Sequence, residues 1–235
     1  MLGLPDAVQA CLFDLDGVLT PTALIHAAAW KEMFDAFLAS RDGPGYRPFD
    51  AVDEYERYVD GRPRADGTRA FLAARGIQVP EATVEELSGR KDAIFERIVH
   101  ERGVSPYPGS VRYLRACREA GLRRAVVSSS AHCAEIVRAA GIEDLLEVRV
   151  DGIVAKRVGL RGKPDPATFL HAAEELAVPA DRAAVFEDAL AGVEAGRAGG
   201  FGYVVGVDRA GEADALRAHG ADVVVEDLAE LVDRP

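Results

Sequence analysis

Six residues stand out by chemical type and by where they fall in the chain. Asp14 and Asp16 follow the apolar run Val8-Gln-Ala-Cys-Leu-Phe, and Glu187 with Asp188 follows a second run, Ala183-Ala-Val-Phe186. Ser128 closes a third, Arg124-Ala-Val-Val-Ser128, and Lys163 stands in a later loop before Pro164. Paired carboxylates can hold a hard cation or exchange protons, while a hydroxyl and an ammonium can hold an anion where charge develops. Each residue alone has an ordinary explanation. Acids after a strand cap helices or face solvent, serines before a helix serve as N-caps, and a lysine before proline is a common loop cation. The interest lies in the set and its order.

The surrounding pattern says how the six could be brought together. Val8–Asp14 reads as a strand, a nearly continuous apolar run of the kind buried in parallel sheets. From Thr22 to about Ala39 the apolar residues recur at helical spacing: Leu24, Ile25, Ala28, Ala29, Phe34, Phe37 and Leu38. Helical patterns follow at Asp53–Val59, Thr68–Arg75 and Thr83–His100, and no convincing strand falls between Thr22 and Gly103. After Pro106-Tyr-Pro-Gly the chain alternates. Helix Val111–Ala120 leads to strand Arg124–Ser128, and helix Ala134–Ala140 to strand Glu147–Val150. Helices Ala167–Leu176, Leu190–Arg197 and Ala213–His219 then precede strands Ala183–Phe186, Tyr203–Val207 and Asp222–Val225. Single helices between strands predict an α/β, doubly wound parallel-sheet core, Rossmann-like, with an inserted α-helical cap. The core takes residues 1–20 and 105–235 and the cap residues 21–104. In such a sheet ligands bind at the carboxyl ends of the strands, where the six residues fall.

Their order and spacing resemble the haloacid dehalogenase superfamily. Asp14-Leu-Asp16-Gly-Val-Leu-Thr is similar to its first motif, Val126-Val-Ser128-Ser-Ser to its second, Gly162-Lys163-Pro to its third, and Phe186-Glu187-Asp188-Ala-Leu-Ala-Gly to its fourth. The resemblance implies phosphoryl transfer with Mg2+. Asp14 would be the nucleophile that forms an aspartyl-phosphate, and Asp16 the general acid and base. Asp14, the Asp16 carbonyl and Asp188 would bind the metal, with Glu187 a ligand or a support to the ligands. Ser128, Ser129 and Lys163 would hold the phosphoryl oxygens.

The cap region narrows the resemblance to the β-phosphoglucomutase-like branch. Thr22, His26, Trp30 and Lys31 look like that branch's first cap helix, Val59-Asp-Gly61-Arg-Pro-Arg64 like its substrate loop, and Arg90-Lys91-Asp92 like a further cap segment. The implied substrate-binding set is Thr22, His26, Trp30, Gly61, Arg64, Lys91, Ser130 and His132. Arg64 would hold the second phosphate of a bisphosphate, and His26 would steer Asp16. Bland alternatives stand beside these: a packing histidine at position 26, a cap-core tryptophan with one edge at the cleft, a solvated helix lysine at position 91 and a surface histidine at position 132. Some positions depart from the pattern. Pro21 replaces an acid, Asp60 stands where a basic or polar residue is common, Gly67 replaces a serine, and Ala131-His132 replaces Lys-Asn.

Composition limits the partners. The 235 residues carry 28 Lys+Arg against 39 Asp+Glu, a net charge of −11, which disfavours nucleic acid and anionic membrane surfaces. At 49% hydrophobic and 29% charged the chain reads as globular. Cys11, Cys117 and Cys133 show no paired spacing, no apolar run reaches membrane-spanning length, and the N-terminus lacks a basic leader, so a cytoplasmic monomer or weak dimer is expected. Only Lys31, Lys91, Lys156 and Lys163 are lysines in an arginine-rich chain, which draws attention to each. The expected activity is isomerisation of β-glucose 1-phosphate to glucose 6-phosphate through a bisphosphate. The alternatives are a phosphatase acting on a small phosphorylated sugar and, further off, a non-catalytic sugar-phosphate sensor. A dehalogenase would leave Asp16 superfluous, and a phosphonatase would need a Schiff-base lysine in the cap.

Overall fold

The computed structural model describes residues 2–232. Within them, strands β1 (Ala10–Phe13), β2 (Arg123–Val127), β3 (Val148–Val150), β4 (Ala183–Glu187), β5 (Tyr203–Val207) and β6 (Val223–Val225) form one sheet. Its order is β3-β2-β1-β4-β5-β6, and every pairing is parallel. This is the doubly wound α/β core that the alternation predicts.

The helices are α1 (Thr22–Asp42), α2 (Arg64–Ala74), α3 (Glu81–Arg102), α4 (Pro108–Glu119), α5 (Cys133–Ala139), α6 (Gly152–Val158), α7 (Ala167–Glu175), α8 (Leu190–Ala198), α9 (Ala213–His219) and α10 (Ala229–Val232). The pleat of β1 sorts its side chains to the two faces. Cys11 and Phe13 pack with Tyr113, Leu114 and Ile136 on one side, and Ala10 and Leu12 with Phe169, Ala172 and Leu176 on the other. Both faces are covered, which is why these strands read as unbroken apolar runs.

The connection from β1 to β2 carries α1, α2 and α3, and these helices enclose an apolar core of their own. Trp30, Met33, Phe34, Phe49, Phe71 and Leu87 are buried in it. Phe34 lies 4.0 Å from Phe71 and 5.1 Å from Phe49, centroid to centroid.

Some elements differ from the sequence reading. The helix expected at 53–59 is a short π-helical turn, Tyr55–Val59. Helix α2 begins at Arg64 rather than at Thr68, because Pro63 can precede a helix but not continue one. Helix α6 has no counterpart in the periodicity reading. Only seven residues long, it is fixed at its ends instead. The Asp151 carboxylate accepts from the Ile153 and Val154 amides, and Gly159 closes it in the left-handed conformation.

Candidate active site

Parallel register gathers the chemistry at one sheet edge. Phe13 pairs with Val126 on one side and with Phe186 on the other, so Asp14 emerges beside Glu187 and next to the turn bearing Ser128. The Asp14 amide donates to the Phe186 carbonyl at 2.9 Å, and the Asp16 amide donates to Asp14 Oδ2 at 2.8 Å. A tight turn follows, in which the Gly17 amide donates to the Thr20 carbonyl at 2.7 Å. Gly17 has φ +84°, and a Cβ there would overlap Asp188 Oδ2, so the turn can approach the fourth motif only with glycine.

Lys163 is the cation of this floor. Its ammonium contacts Asp14 Oδ1, donates to the Val127 carbonyl at 3.1 Å and lies 2.5 Å from Glu187 Oε1. Its side chain is 1% exposed. Burial works against its charge, but Asp14 and Glu187 more than offset it, and the ammonium is held above its ordinary pKa. Burial pushes the Asp14 carboxyl up, Lys163 opposes this, and Glu187 and Asp16 add to it. Asp188 is pushed up by burial and then by Asp60, Glu187 and Asp14.

One cation among so many acids leaves a deficit of positive charge. Ligand oxygens of Asp14, Glu187 and Asp188 all lie within 4.8 Å of one another. Glu187 Oε1, fully buried, has no hydrogen-bond partner of suitable geometry. Hard carboxylate oxygens in excess of the one ammonium that Asp14 and Glu187 share fit a divalent cation of the Mg2+ type.

Asp16 belongs to a different network. Thr22 Oγ1 donates to its Oδ1, Ser128 Oγ lies 3.4 Å from its Oδ2, and His26 Nε2 lies 3.3 Å from Oδ1. The Lys91 ammonium meets His26 Nδ1. Burial would raise Asp16, but His26 and Thr22 outweigh it and lower the carboxyl to about 2. Burial lowers Lys91 to about 7.

Lys91 is therefore not the solvated helix lysine that its position in α3 allowed. It is 4% exposed, 5.3 Å from the Trp30 ring centroid and 4.8 Å from that of Phe95. His26 stacks on Phe95 at 4.0 Å.

Floor and helices enclose a cleft of about 1420 Å³. Asp14, Asp16, Ser128, Ser129, Lys163 and Asp188 line it from the sheet, and His26, Trp30, Gly61, Arg64 and Lys91 from the helical side. Ser130 lines it as well. Thr22 and Glu187 sit behind this wall, each fully buried. His132 is turned elsewhere and is no simple surface residue. Its side chain is 13% exposed, its Nε2 lies 2.8 Å from Asp92 Oδ1, and it lines a smaller pocket with Phe95 and Ile136. Arg64 contacts the same Asp92 oxygen.

Two residues of the cleft escaped the list of candidate groups. Tyr55 is buried, and Asp60 is pushed up to about 7 by burial and by the charges of Glu187 and Asp16, with the Tyr55 hydroxyl opposing. Asp60 had a signal in its own sequence, an acid where a basic or polar residue is usual. Tyr55 had none, because one aromatic in a helical pattern reads as core.

Residues 8–200 match the family model described as haloacid dehalogenase-like hydrolase. The β-phosphoglucomutase of Mycobacterium bovis is 49% identical, over 99% of this chain and 94% of its own. A phosphorylated carbohydrates phosphatase of Thermotoga maritima is 26% identical, over 85% of each chain. The crystal structure of a hydrolase from Pseudomonas syringae superposes with a TM-score of 0.82 at 25% identity, covering 96% of this chain and 97% of that one.

Proposed function

The chain belongs to the haloacid dehalogenase-like hydrolases, in their β-phosphoglucomutase-like branch, and from that premise we propose that it isomerises β-glucose 1-phosphate to glucose 6-phosphate through an aspartyl-phosphate on Asp14. The observation that supports this reading is a single cleft lined by cations from both sides, Lys163 from the sheet and Arg64 from the helices. Lys163 and Ser128 flank Asp14 on the floor, and Arg64 reaches in from the helical side. A mutase must fix one phosphate while the other reacts, and a guanidinium binds phosphate oxygens in pairs.

The reaction needs a base in one half and an acid in the other, and Asp16 is prepared for that order. With phospho-Asp14 in place, a sugar hydroxyl attacks phosphorus. The bond from phosphorus to Asp14 breaks, a bond to the sugar oxygen forms, and the hydroxyl proton passes to Asp16. The bisphosphate turns round, and Asp14 attacks its other phosphorus. The departing sugar oxygen takes back the proton that Asp16 holds. His26 and Thr22 keep Asp16 ionised at rest, as the first half requires.

Asp14, Glu187 and Asp188 would hold a Mg2+ ion, with the Asp16 carbonyl as a further oxygen. When bound, such an ion offsets the repulsion between a carboxylate nucleophile and phosphate. We also assign residues 21–104 the part of a cap that closes over the floor and keeps water from phospho-Asp14.

A second reading is a phosphatase, favoured by the similarity to the carbohydrate phosphatase and by a cleft wide enough to admit water. Phosphorus NMR separates the two. Protein, Mg2+, β-glucose 1-phosphate and a trace of β-glucose 1,6-bisphosphate should give glucose 6-phosphate without inorganic phosphate, and Asp14→Asn should give neither. Inorganic phosphate as the main product would establish the phosphatase. Turnover retained in Asp14→Asn would remove the aspartyl-phosphate from the mechanism.

A further inference from the structure

We propose that Asp92 is a positioning residue of the second-phosphate site: its carboxylate, itself held by His132, fixes the Arg64 guanidinium in the cleft. The inference rests on the reading of Arg64 given above and adds the two residues through which that side chain is placed.

The first ground is contact. One oxygen, Asp92 Oδ1, is shared by two groups. The Arg64 guanidinium meets it through Nη1, and His132 Nε2 lies 2.8 Å from it. The three residues come from three elements: Arg64 opens α2, Asp92 belongs to α3, and His132 immediately precedes α5. Among the described residues Arg64 forms no other ion pair. A guanidinium on a long, rotamer-rich stem needs such a partner if it is to wait in one place for an anion. It also has more N–H donors than one oxygen can take, so donors are left over for phosphate oxygens.

The second ground is the wall that each residue faces. Arg64 and Asp92 line the cleft that holds Asp14, whereas His132 lines the smaller pocket beside Phe95 and Ile136. His132 therefore acts on a ligand in the cleft through Asp92 and not by its own ring. The ring is firmly placed. It is 13% exposed, its centroid lies 5.3 Å from that of Phe95, and the His132 amide donates to Ser130 Oγ at 3.2 Å. Two other acids stand near it, Glu96 at 3.9 Å and Glu135 at 3.6 Å, but both are further off than Asp92 and largely exposed. A residue at the carboxyl ends of the strands thus sets the position of the cation that reaches in from the helical side.

The test is a mutant cycle read in the KM for β-glucose 1-phosphate, whose phosphate occupies the second site while the sugar hydroxyl attacks phospho-Asp14. Asp92→Ala should raise KM about 3- to 10-fold and leave kcat within about two-fold, because a holding contact is made alike before and in the transition state. Asp92→Asn keeps an acceptor oxygen in place and should recover part of the loss. His132→Ala should raise KM by a smaller factor, since Asp92 still meets Arg64. With Arg64→Ala in place, Asp92→Ala should add nothing, because residues that act through each other are not additive. Equal rises with and without Arg64 would overturn the proposal. A lower KM in Asp92→Ala would overturn it as well, by making the carboxylate a competitor of phosphate. An unchanged KM in His132→Ala would strike the histidine from the chain of contacts. A raised KM in Arg64→Ala beside an unchanged KM in Asp92→Ala would refute the role of Asp92 and leave the second-phosphate site standing. An unchanged KM in Arg64→Ala would remove both that site and this proposal.

Discussion

Replacing Lys163 by methionine tests whether the active-site floor is held together by one charge. Methionine fills the space of the stem and removes the ammonium. Asp14 and Glu187, whose side chains are 8% and 0% exposed, then face each other without compensation. Breaking a buried ion pair by removing one partner costs about 3–5 kcal/mol. The hydrogen bond to the Val127 carbonyl and the approach of Nζ to the Phe169 ring, 4.9 Å from its centroid, are lost within that figure. For a chain of this length the melting temperature should fall by about 6–20 °C. The dependence on pH gives the sharper check. Lys163 has a folded-state pKa above its unfolded one, so its contribution is fully present below the unfolded value and is lost only as pH rises through the folded one, at strongly alkaline pH. In the variant the stranded carboxyls can instead take up protons. Their cost therefore vanishes near pH 4, the ordinary carboxylate range, and grows as pH rises. Urea unfolding in chelator at pH 4.5 and pH 8 measures both. A loss under 1 kcal/mol at pH 8, or an equal loss at the two pH values, would refute the reasoning.

His26→Gln removes the group that does most to hold Asp16 at about 2, so Asp16 should rise toward the ordinary value of about 4. Asp16 acts as a base above its pKa and loses that form as pH falls through it. The acid limb of kcat/KM should therefore move to higher pH in the variant, and an unmoved limb would dissociate His26 from Asp16. Gly192→Ala places a methyl group against Glu187 Oε1 and should destabilise the protein by about 1–3 kcal/mol, read as a lower melting temperature. Arg64→Ala should raise the KM for sugar phosphate about 10- to 100-fold by removing charge-assisted bonds to the second phosphate, and steady-state kinetics with an unchanged KM would release Arg64 from that role.

What could be read from the sequence followed from how locally each feature is encoded. The strands of the floor were legible because β1, β2 and β4 are buried on both faces and end where the acids and the serine begin. The four motifs are short segments with fixed spacing, and the parallel register of Phe13 with Val126 and Phe186 brings them together as the alternation implied. The meeting of Lys91 with His26 was not legible. It joins residues 65 positions apart on two different helices, and nothing in the pattern of α3 tells a buried lysine from a solvated one. The scarcity of lysine in this chain was the only local hint. The turn of His132 toward Asp92 was hidden for the same reason, since each partner alone is an ordinary polar residue. Helix α6 was missed because seven residues give no periodicity, although Asp151 and Gly159 marked both its ends.

The acids at the strand ends do not share one electrostatic environment. Asp14, Glu187 and Asp188 crowd together around the buried Lys163 ammonium, and Asp16 adds its charge to theirs while its own partners are His26, Thr22 and Lys91. The same residue type thus has two kinds of environment a few residues apart. Burial and like charge make the Asp14 side a strong acceptor for a cation, and His26 and Thr22 keep Asp16 ionised. The partners that lower Asp16 come from α1 and α3, so its ionisation is coupled to the seating of those helices on the floor.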